Sequence, residues 1–460
     1  MNGDNLKSND SLYKSTYMQL YSHFKEEILA GRLSAGTKLP SLRNLAKDMG
    51  ISTTTTQLAY DQLLVEGYIY SKPQSGYYVS PISAADTCEQ GAVFSPSGAI
   101  ENYHFSDSPY LYDPDSFDFV KWKKCITKVL NDYPYLLFFE SDPQGEELLR
   151  MEISKYLFSS RGVSADPSHI VIGAGTQQIT SHLARILSRM EIKLVSLEYP
   201  GYLPVHRMFI DSGFNLSHIP VSQDGINIEL LPKNIPSVAY VNPSNQFPTG
   251  AIMPVGRRYQ LLQWARDNDS IIIEDDYDSE LRYFGKPVPA MQGLDNSGRV
   301  VYLGSFSSTL FPAIKIAYMV LPENMAQMFY DMKDSYTQTC SKAEQLTLAF
   351  FMEQGHYMTG IRRLRNLNSQ KLQTVLSSIE KYGGGLISPV NSNSGINIIL
   401  KVRTKKTAEV LCKEAKSLGL LVVPLSDITD QNTSGLLFYY SQLPLNKIDG
   451  LMKELSDLWK

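Results

Sequence analysis

Ser270-Ile271-Ile272-Ile273-Glu274-Asp275-Asp276-Tyr277-Asp278 passes abruptly from apolar side chains to carboxylates and a phenol. A short apolar run reads as a strand buried on both faces, the habit of strands in parallel sheets. Polar groups directly after such a strand lie at the sheet's carboxyl edge, where open α/β sheets form their ligand crevices. The same grammar appears twice more. Val238-Ala239-Tyr240-Val241 runs into Asn242-Pro243-Ser244-Asn245-Gln246-Phe247-Pro248-Thr249-Gly250, and Ile170-Val171-Ile172 into Gly173-Ala174-Gly175-Thr176-Gln177-Gln178. With Lys193-Leu194-Val195-Ser196-Leu197 as a further strand and helical stretches between, the pattern predicts an α/β body with a mostly parallel sheet. The glycine motif opens a helix, so its amides and the helix dipole offer an anion site. Alone that signal is weak, and a structural glycine turn is the more common explanation; its weight comes from the two polar strand ends beside it.

The 460 residues allow two or three domains, and 43% hydrophobic with 20% charged residues is the balance of an ordinary soluble protein. There is no internal repeat and no low-complexity tract. Cys88, Cys125, Cys340 and Cys412 show neither CxxC nor Cys/His spacing, so no disulfide framework and no metal site is expected, and a reducing cytoplasm fits. No apolar run approaches the roughly 20 residues of a membrane span, and Met1-Asn2-Gly3-Asp4-Asn5-Leu6-Lys7 lacks the apolar stretch of a signal peptide. A net charge of -4 excludes a chain that coats nucleic acid indiscriminately, because phosphate neutralisation needs clustered Lys and Arg. Any DNA contact must be local, and a dimer or tandem sites would add affinity.

Near the N-terminus the period is helical. Tyr21, Phe24, Ile28 and Leu29 recur on one helix that stops at Gly31; Ser41 caps a second, Leu42 to Met49, expected to bury Leu42, Leu45, Ala46 and Met49 and to end at Gly50. Ser52 caps a third, through Leu58, Leu63 and Leu64 to Gly67, completing a helix-turn-helix. Tyr68-Ile69-Tyr70 and Tyr77-Tyr78-Val79 around Ser71-Lys72-Pro73-Gln74-Ser75-Gly76 read as a hairpin. The run from Gly31 to Ala46, with Gly67-Tyr68 and Ser75-Gly76, strongly resembles the GntR family of winged-helix regulators over Leu12 to Ser80. That resemblance implies operator DNA as a partner. Arg43, Ser52, Thr53, Thr54, Thr55 and Gln57 become the contact residues, with Lys72, Gln74 and Gly76 on the wing. The family often has a basic residue where Thr53 stands, so base reading would lean on hydroxyls and Gln57, a weaker code than a bidentate arginine. The bland alternative is a helix-turn-helix used only for protein contact.

Pro81 to Glu101 carries Pro, Ser and Gly without sustained periodicity and reads as a connector. Beyond it, Asp142-Pro143-Gln144-Gly145-Glu146-Glu147-Leu148-Leu149-Arg150, Glu198-Tyr199-Pro200-Gly201-Tyr202 and Ser305-Phe306-Ser307-Ser308-Thr309-Leu310-Phe311-Pro312 join the three strand-end motifs. Together they resemble the fold-type I pyridoxal-phosphate enzymes. With the winged helix in front, the chain is similar to the MocR/GabR subfamily of GntR regulators along nearly its whole length. The organisation this implies is a winged helix at 1–80, a linker at 81–101, an aminotransferase-like large domain at 102–326, and interdomain helices with a small α+β domain at 327–460.

Carried over residue by residue, the resemblance implies that Asp275 faces the pyridine nitrogen, Tyr277 and Asn242 bond the ring hydroxyl, and Tyr202 stacks on the ring. Gly175, Thr176, Ser305 and Ser307 surround the phosphate, with Lys315 where the family usually has arginine. Ser308 stands at the Schiff-base lysine position, and a serine neither forms a stable imine nor moves the proton, so no catalytic residue is assigned. Pro204 and Leu437 occupy positions where the family often places carboxylate-binding arginines. Three functions stay open. One is a cytoplasmic, homodimeric transcriptional regulator whose body senses pyridoxal 5'-phosphate, held non-covalently, or a related small-molecule effector. The others are a working aminotransferase with a DNA-binding module, and a constitutive DNA-binding dimer whose body only dimerises.

Overall fold

A computed structural model describes residues 16–81, 113–283, 288–390, 395–430 and 433–460, in two compact units, 1–105 and 106–460. Apart from Pro81, the connector expected over 81–101 lies outside the described residues.

In the first unit, α1 (Thr16–Leu29), α2 (Leu42–Met49) and α3 (Thr53–Val65) precede a hairpin of β1 (Ile69–Lys72) and β2 (Gly76–Val79). Local chemistry sets the helix ends. The Ser41 side chain accepts from the Asn44 amide and that of Ser52 from the Thr55 amide, while Gly50 takes the left-handed conformation (φ +65°) that ends α2. Leu20, Phe24, Ile28, Leu45, Tyr60, Leu63, Ile69 and Val79 form the core. Two expected apolar positions fall outside it. Leu29 is 40% exposed because it ends α1 beyond the buried stripe, and Leu58 is 49% exposed because Ala59 and Tyr60 take the inward face of α3. Leu42 and Met49 are only half-buried, packed against the core's edge.

The second unit is built on an eight-stranded sheet ordered β3-β10-β9-β8-β7-β4-β5-β6. Its strands are β3 (Ile170–Gly173), β4 (Leu194–Tyr199), β5 (Asn215–Ser222), β6 (Gly225–Ile226), β7 (Val238–Val241), β8 (Ile271–Asp276), β9 (Val300–Ser305) and β10 (Ala317–Val320). β4, β5, β7, β8 and β9 run parallel, whereas β10 opposes both β9 and β3, and the short β6 opposes β5. β7 and β8 are buried along their whole length. Alternation divides β8 between two cores, Ile271 and Ile273 on one face and Ile272 on the other.

A second sheet, wholly antiparallel, is ordered β11-β12-β14-β13: β11 (Ile387–Val390), β12 (Ile398–Val402), β13 (Val422–Asp430) and β14 (Thr433–Phe438). With the helices Ala408–Ser417 and Ile448–Trp459 it closes a separate core of Leu400, Leu411, Leu436, Phe438, Met452, Leu455 and Trp459. This is the small α+β portion expected from the sequence. None of the described helices is long and apolar enough to cross a membrane.

Candidate ligand site

At the carboxyl ends of the parallel strands lies a cavity of about 640 Å³. The structure brings all ten expected pocket residues to its wall: Gly175, Thr176, Tyr202, Asn242, Asp275, Tyr277, Ser305, Ser307, Ser308 and Lys315. They come from segments up to more than a hundred residues apart, gathered because each lies at or near the end of a strand of one sheet.

Part of the wall suits an anion. Gly175 has φ +85° and ψ 171°, a combination that is essentially glycine's alone, and it stands at the N-cap of the helix Thr176–Arg189. The first amides of a helix have no intrahelical acceptor and point at whatever occupies its mouth. Ser305 ends β9, and the Ser307 amide donates to its hydroxyl at 3.3 Å. Lys315 follows the short turn Pro312–Ile314 in the left-handed region (φ +48°). It is the one lysine among the described residues lining the cavity.

Another part of the wall is acidic. Asp275 is 7% exposed and accepts from the Tyr240 hydroxyl at 2.6 Å, while the Asn242 side-chain amide donates to the Asp275 backbone carbonyl at 2.9 Å. Burial pushes the Asp275 carboxyl up to about 6, against the opposite pull of Tyr240 and Asn242. Among the described residues no cation lies within salt-bridge distance of it. Its neighbour Asp276 is the contrast: Arg161 pairs with it at 2.8 Å, and Tyr302 and Ser279 donate to it at 2.5 and 2.9 Å. Two adjacent carboxylates on one strand thus face opposite ways, one neutralised in the core and one left facing the cavity. Beneath them Glu198 accepts from the Asn242 amide at 3.0 Å, and burial raises its carboxyl to about 7.

On the same cavity wall the Ser308 hydroxyl donates to the Tyr277 carbonyl at 2.5 Å. The Tyr277 hydroxyl accepts from the Asn245 side-chain amide at 3.3 Å, and burial holds the phenol protonated. Tyr202, 41% exposed, packs edge-on against Phe247 with ring centroids 6.1 Å apart.

Phe247, Ile396, Asn397 and Tyr439 also line the cavity, and the sequence does not single them out. Their segments read as strands or polar turns, and no local pattern says that the second sheet reaches over the end of the first. Pro204 lines the wall as expected of its position, whereas Leu437 is buried and lies outside the lining; on β14's exit that place falls to Tyr439.

In the first unit, Arg43, Thr53, Thr54, Lys72, Gln74 and Gly76 are exposed. Gln74 and Gly76 both take positive φ at the hairpin turn, and the Lys72 ammonium lies 4.7 Å from the Tyr78 ring centre. Three candidates have internal partners. The Ser52 hydroxyl is shared between the Thr55 amide (3.0 Å) and the Thr55 hydroxyl (2.8 Å), and the Gln57 amide donates to Asp61 at 2.6 Å. Thr53 and Thr54, on the first turn of α3, are the candidate hydroxyls left free, among the described residues, to meet a partner.

Residues 16–79 match the bacterial regulatory proteins of the gntR family, and residues 112–429 match the class I and II aminotransferases. Over 415 residues the chain is 39% identical to an uncharacterized HTH-type transcriptional regulator, YdeL, of Bacillus subtilis, covering 89% of each chain. It is 32% identical to the probable rhizopine catabolism regulatory protein MocR of Rhizobium meliloti, over 89% of this chain and 86% of that one. The HTH-type pyridoxine biosynthesis transcriptional regulator PdxR of Corynebacterium glutamicum is 27% identical over 95% of both. Among solved structures, a kynurenine aminotransferase of Pyrococcus horikoshii superposes with a TM-score of 0.65 at 24% identity, over 82% of this chain and 96% of that one.

Proposed function

Because the chain belongs to the MocR/GabR subfamily of GntR transcriptional regulators, a DNA-binding unit fused to an aminotransferase-like body, we propose that this body senses pyridoxal phosphate without turning over a substrate. The observation that carries the proposal is one cavity whose wall holds a buried carboxyl lacking a cationic partner among the described residues, a helix N-terminus, Lys315 and Ser308. A protonated ring nitrogen would supply the charge Asp275 lacks, and a phosphate would take the amides and the ammonium. Tyr277 and Asn242 would orient the ring hydroxyl, and Tyr202 would cover one face. When bound, pyridoxal phosphate supplies an aldehyde that a lysine amine can capture. Ser308 has no amine to offer, its hydroxyl is engaged by a backbone carbonyl, and Lys315 belongs to the phosphate end, so the ligand is held by non-covalent contacts. The name of the relative PdxR, a regulator of pyridoxine biosynthesis, points to the same chemistry.

The DNA-binding unit would read its operator in the cytoplasm through Arg43, Thr53, Thr54 and the wing, as part of a homodimer. Support for the dimer comes from exposed apolar side chains in two segments: Phe138 is 88% exposed, with Tyr135 and Phe139 near it in sequence, and Leu148, Met151 and Phe158 share one face of the helix Glu147–Arg161.

The test is a spectrum of the purified protein with pyridoxal phosphate before and after gel filtration, followed by borohydride and mass spectrometry. Expected are reversible loss of the ligand, no pyridoxyl group on any lysine, and no transaminase turnover. Ser308→Lys should instead retain the ligand through the column. A reduced adduct on Lys315 in the unmodified chain would overturn the proposal in favour of a covalent cofactor.

A further inference from the structure

The helix His356–Tyr382 joins a core on the large sheet to the core of the small one. Tyr357 and Ile361 pack with the large sheet, and Leu372, Val375 and Ile379 with the small one. Between the two sets sits Lys371, wholly buried, its ammonium ion-paired with Asp113 and donating to the Ser441 carbonyl at 2.6 Å. A buried ion pair gives up hydration that an apolar pair would not, so it is weak evidence of stabilisation; fixing a register is the better-attested use.

What it registers is specific. Asp113 lies near the start of the body, on the side of the chain that leads back to the DNA-binding unit, and its other carboxylate oxygen accepts from the Asp115 amide at 3.0 Å to cap the turn Pro114–Ser116. Ser441 stands two residues after the cavity-lining Tyr439. Its amide donates at 3.3 Å to the carbonyl of Ile396, another lining residue.

We infer that Asp113 and Lys371 are positioning residues of the sensor, tying the root of the segment that leads to the DNA-binding unit to the strand exit and loop that close the ligand cavity. The inference rests on the proposal that pyridoxal phosphate occupies that cavity. A ligand shifts an equilibrium only through contacts that differ between the two states. Tyr439 and Ile396 are such contacts. Held by the ligand, they fix Ser441, and through Lys371 they fix Asp113; released, they leave Asp113 with more freedom, and the proposed readout of that difference is DNA affinity.

The test uses the full chain, with a duplex from the region upstream of its own gene as the DNA probe, read by fluorescence anisotropy with and without pyridoxal phosphate, and ligand binding read by absorbance. The double variant Asp113→Asn/Lys371→Met removes both charges at once, so neither is left buried alone. Asp113→Asn by itself keeps acceptors for Lys371 and for the Asp115 amide, and serves if the double variant does not fold. Both should bind DNA in the absence of ligand, and bind the ligand, within about twofold of the unmodified chain, while the ligand's effect on DNA affinity falls from about tenfold towards none. Retention of the full effect in the folded variants would overturn the inference and leave the pair a packing element. Loss of ligand binding in them would overturn it as well, because the pair would then build the cavity instead of reporting on it. A ligand effect missing from the unmodified chain, while DNA binding is intact, is a separate outcome: it removes the sensing proposal itself and this inference with it.

Discussion

Asp275 concentrates the chemistry of the site in one side chain. Its folded value of about 6 lies above its ordinary 3.8, because burial disfavours the charged form. The folded protein therefore holds this proton more tightly than the unfolded chain does. The resulting stability is fully present below pH 3.8 and is lost as pH rises through about 6, at about 1.4 kcal/mol for each pH unit between those two values. Ligand binding has the opposite sign, since pairing with a pyridinium needs the ionised carboxylate. Affinity for pyridoxal phosphate should fall about tenfold per pH unit as the pH drops below 6 and level off above it. Asp275→Asn should remove that dependence, cost roughly 3 to 5 kcal/mol of ligand binding, and melt at a higher temperature than the unmodified apo protein at pH 8. Titrations and melting curves at pH 5, 6, 7 and 8 decide it; a flat affinity profile in the unmodified chain would show that Asp275 does not meet a cation.

The two proposed binding functions each rest on a helix start. In the body, Gly175→Ala places a Cβ where the backbone conformation excludes one, although no neighbouring atom blocks the space. The strain, about 1 to 3 kcal/mol, should appear as a lower melting temperature, and a displaced helix mouth should weaken binding of pyridoxal phosphate and inorganic phosphate alike. If binding of both is unchanged, the anion end lies elsewhere. In the DNA-binding unit, Arg43 projects from the first turn of α2, where it is exposed and makes no ion pair among the described residues. Arg43→Ala should weaken DNA binding about equally for all sequences and flatten the log-log salt slope by roughly one. A sequence-selective loss would instead place Arg43 at a base edge.

For the whole molecule the exposed aromatic side chains Phe138 and Phe158 are the candidates for the proposed subunit interface. Phe138→Asp/Phe158→Asp should give a monomer by sedimentation with the body's ligand binding weakened, since a neighbouring subunit usually completes such pockets. On a two-site operator the monomer should approach the affinity of the isolated DNA-binding unit, having lost the effective concentration of a linked second reader. A dimer that persists in the variant would move the subunit interface elsewhere.

Much of this was legible without coordinates because it is local. Ser41, Gly50 and Ser52 set helix ends through their own backbone and side-chain geometry, and Ile271 to Ile273 announce a buried strand by composition alone. The motif residues of the cavity followed from the resemblance, each being attached to a strand end that the sequence marks. What pairs with what was not legible. Nothing local separates Asp275 from Asp276; only the pleat, which turns successive side chains to opposite faces, sends one to Arg161 and leaves the other facing the cavity. Likewise Leu29 and Leu58 satisfy the helical period yet stay exposed, since the period fixes a stripe but not its edges. Tyr439, Asn397 and the buried Asp113 to Lys371 pair depend on contacts across more than a hundred residues, and such contacts are decided by how the second sheet and the long helix pack, which no window of sequence contains.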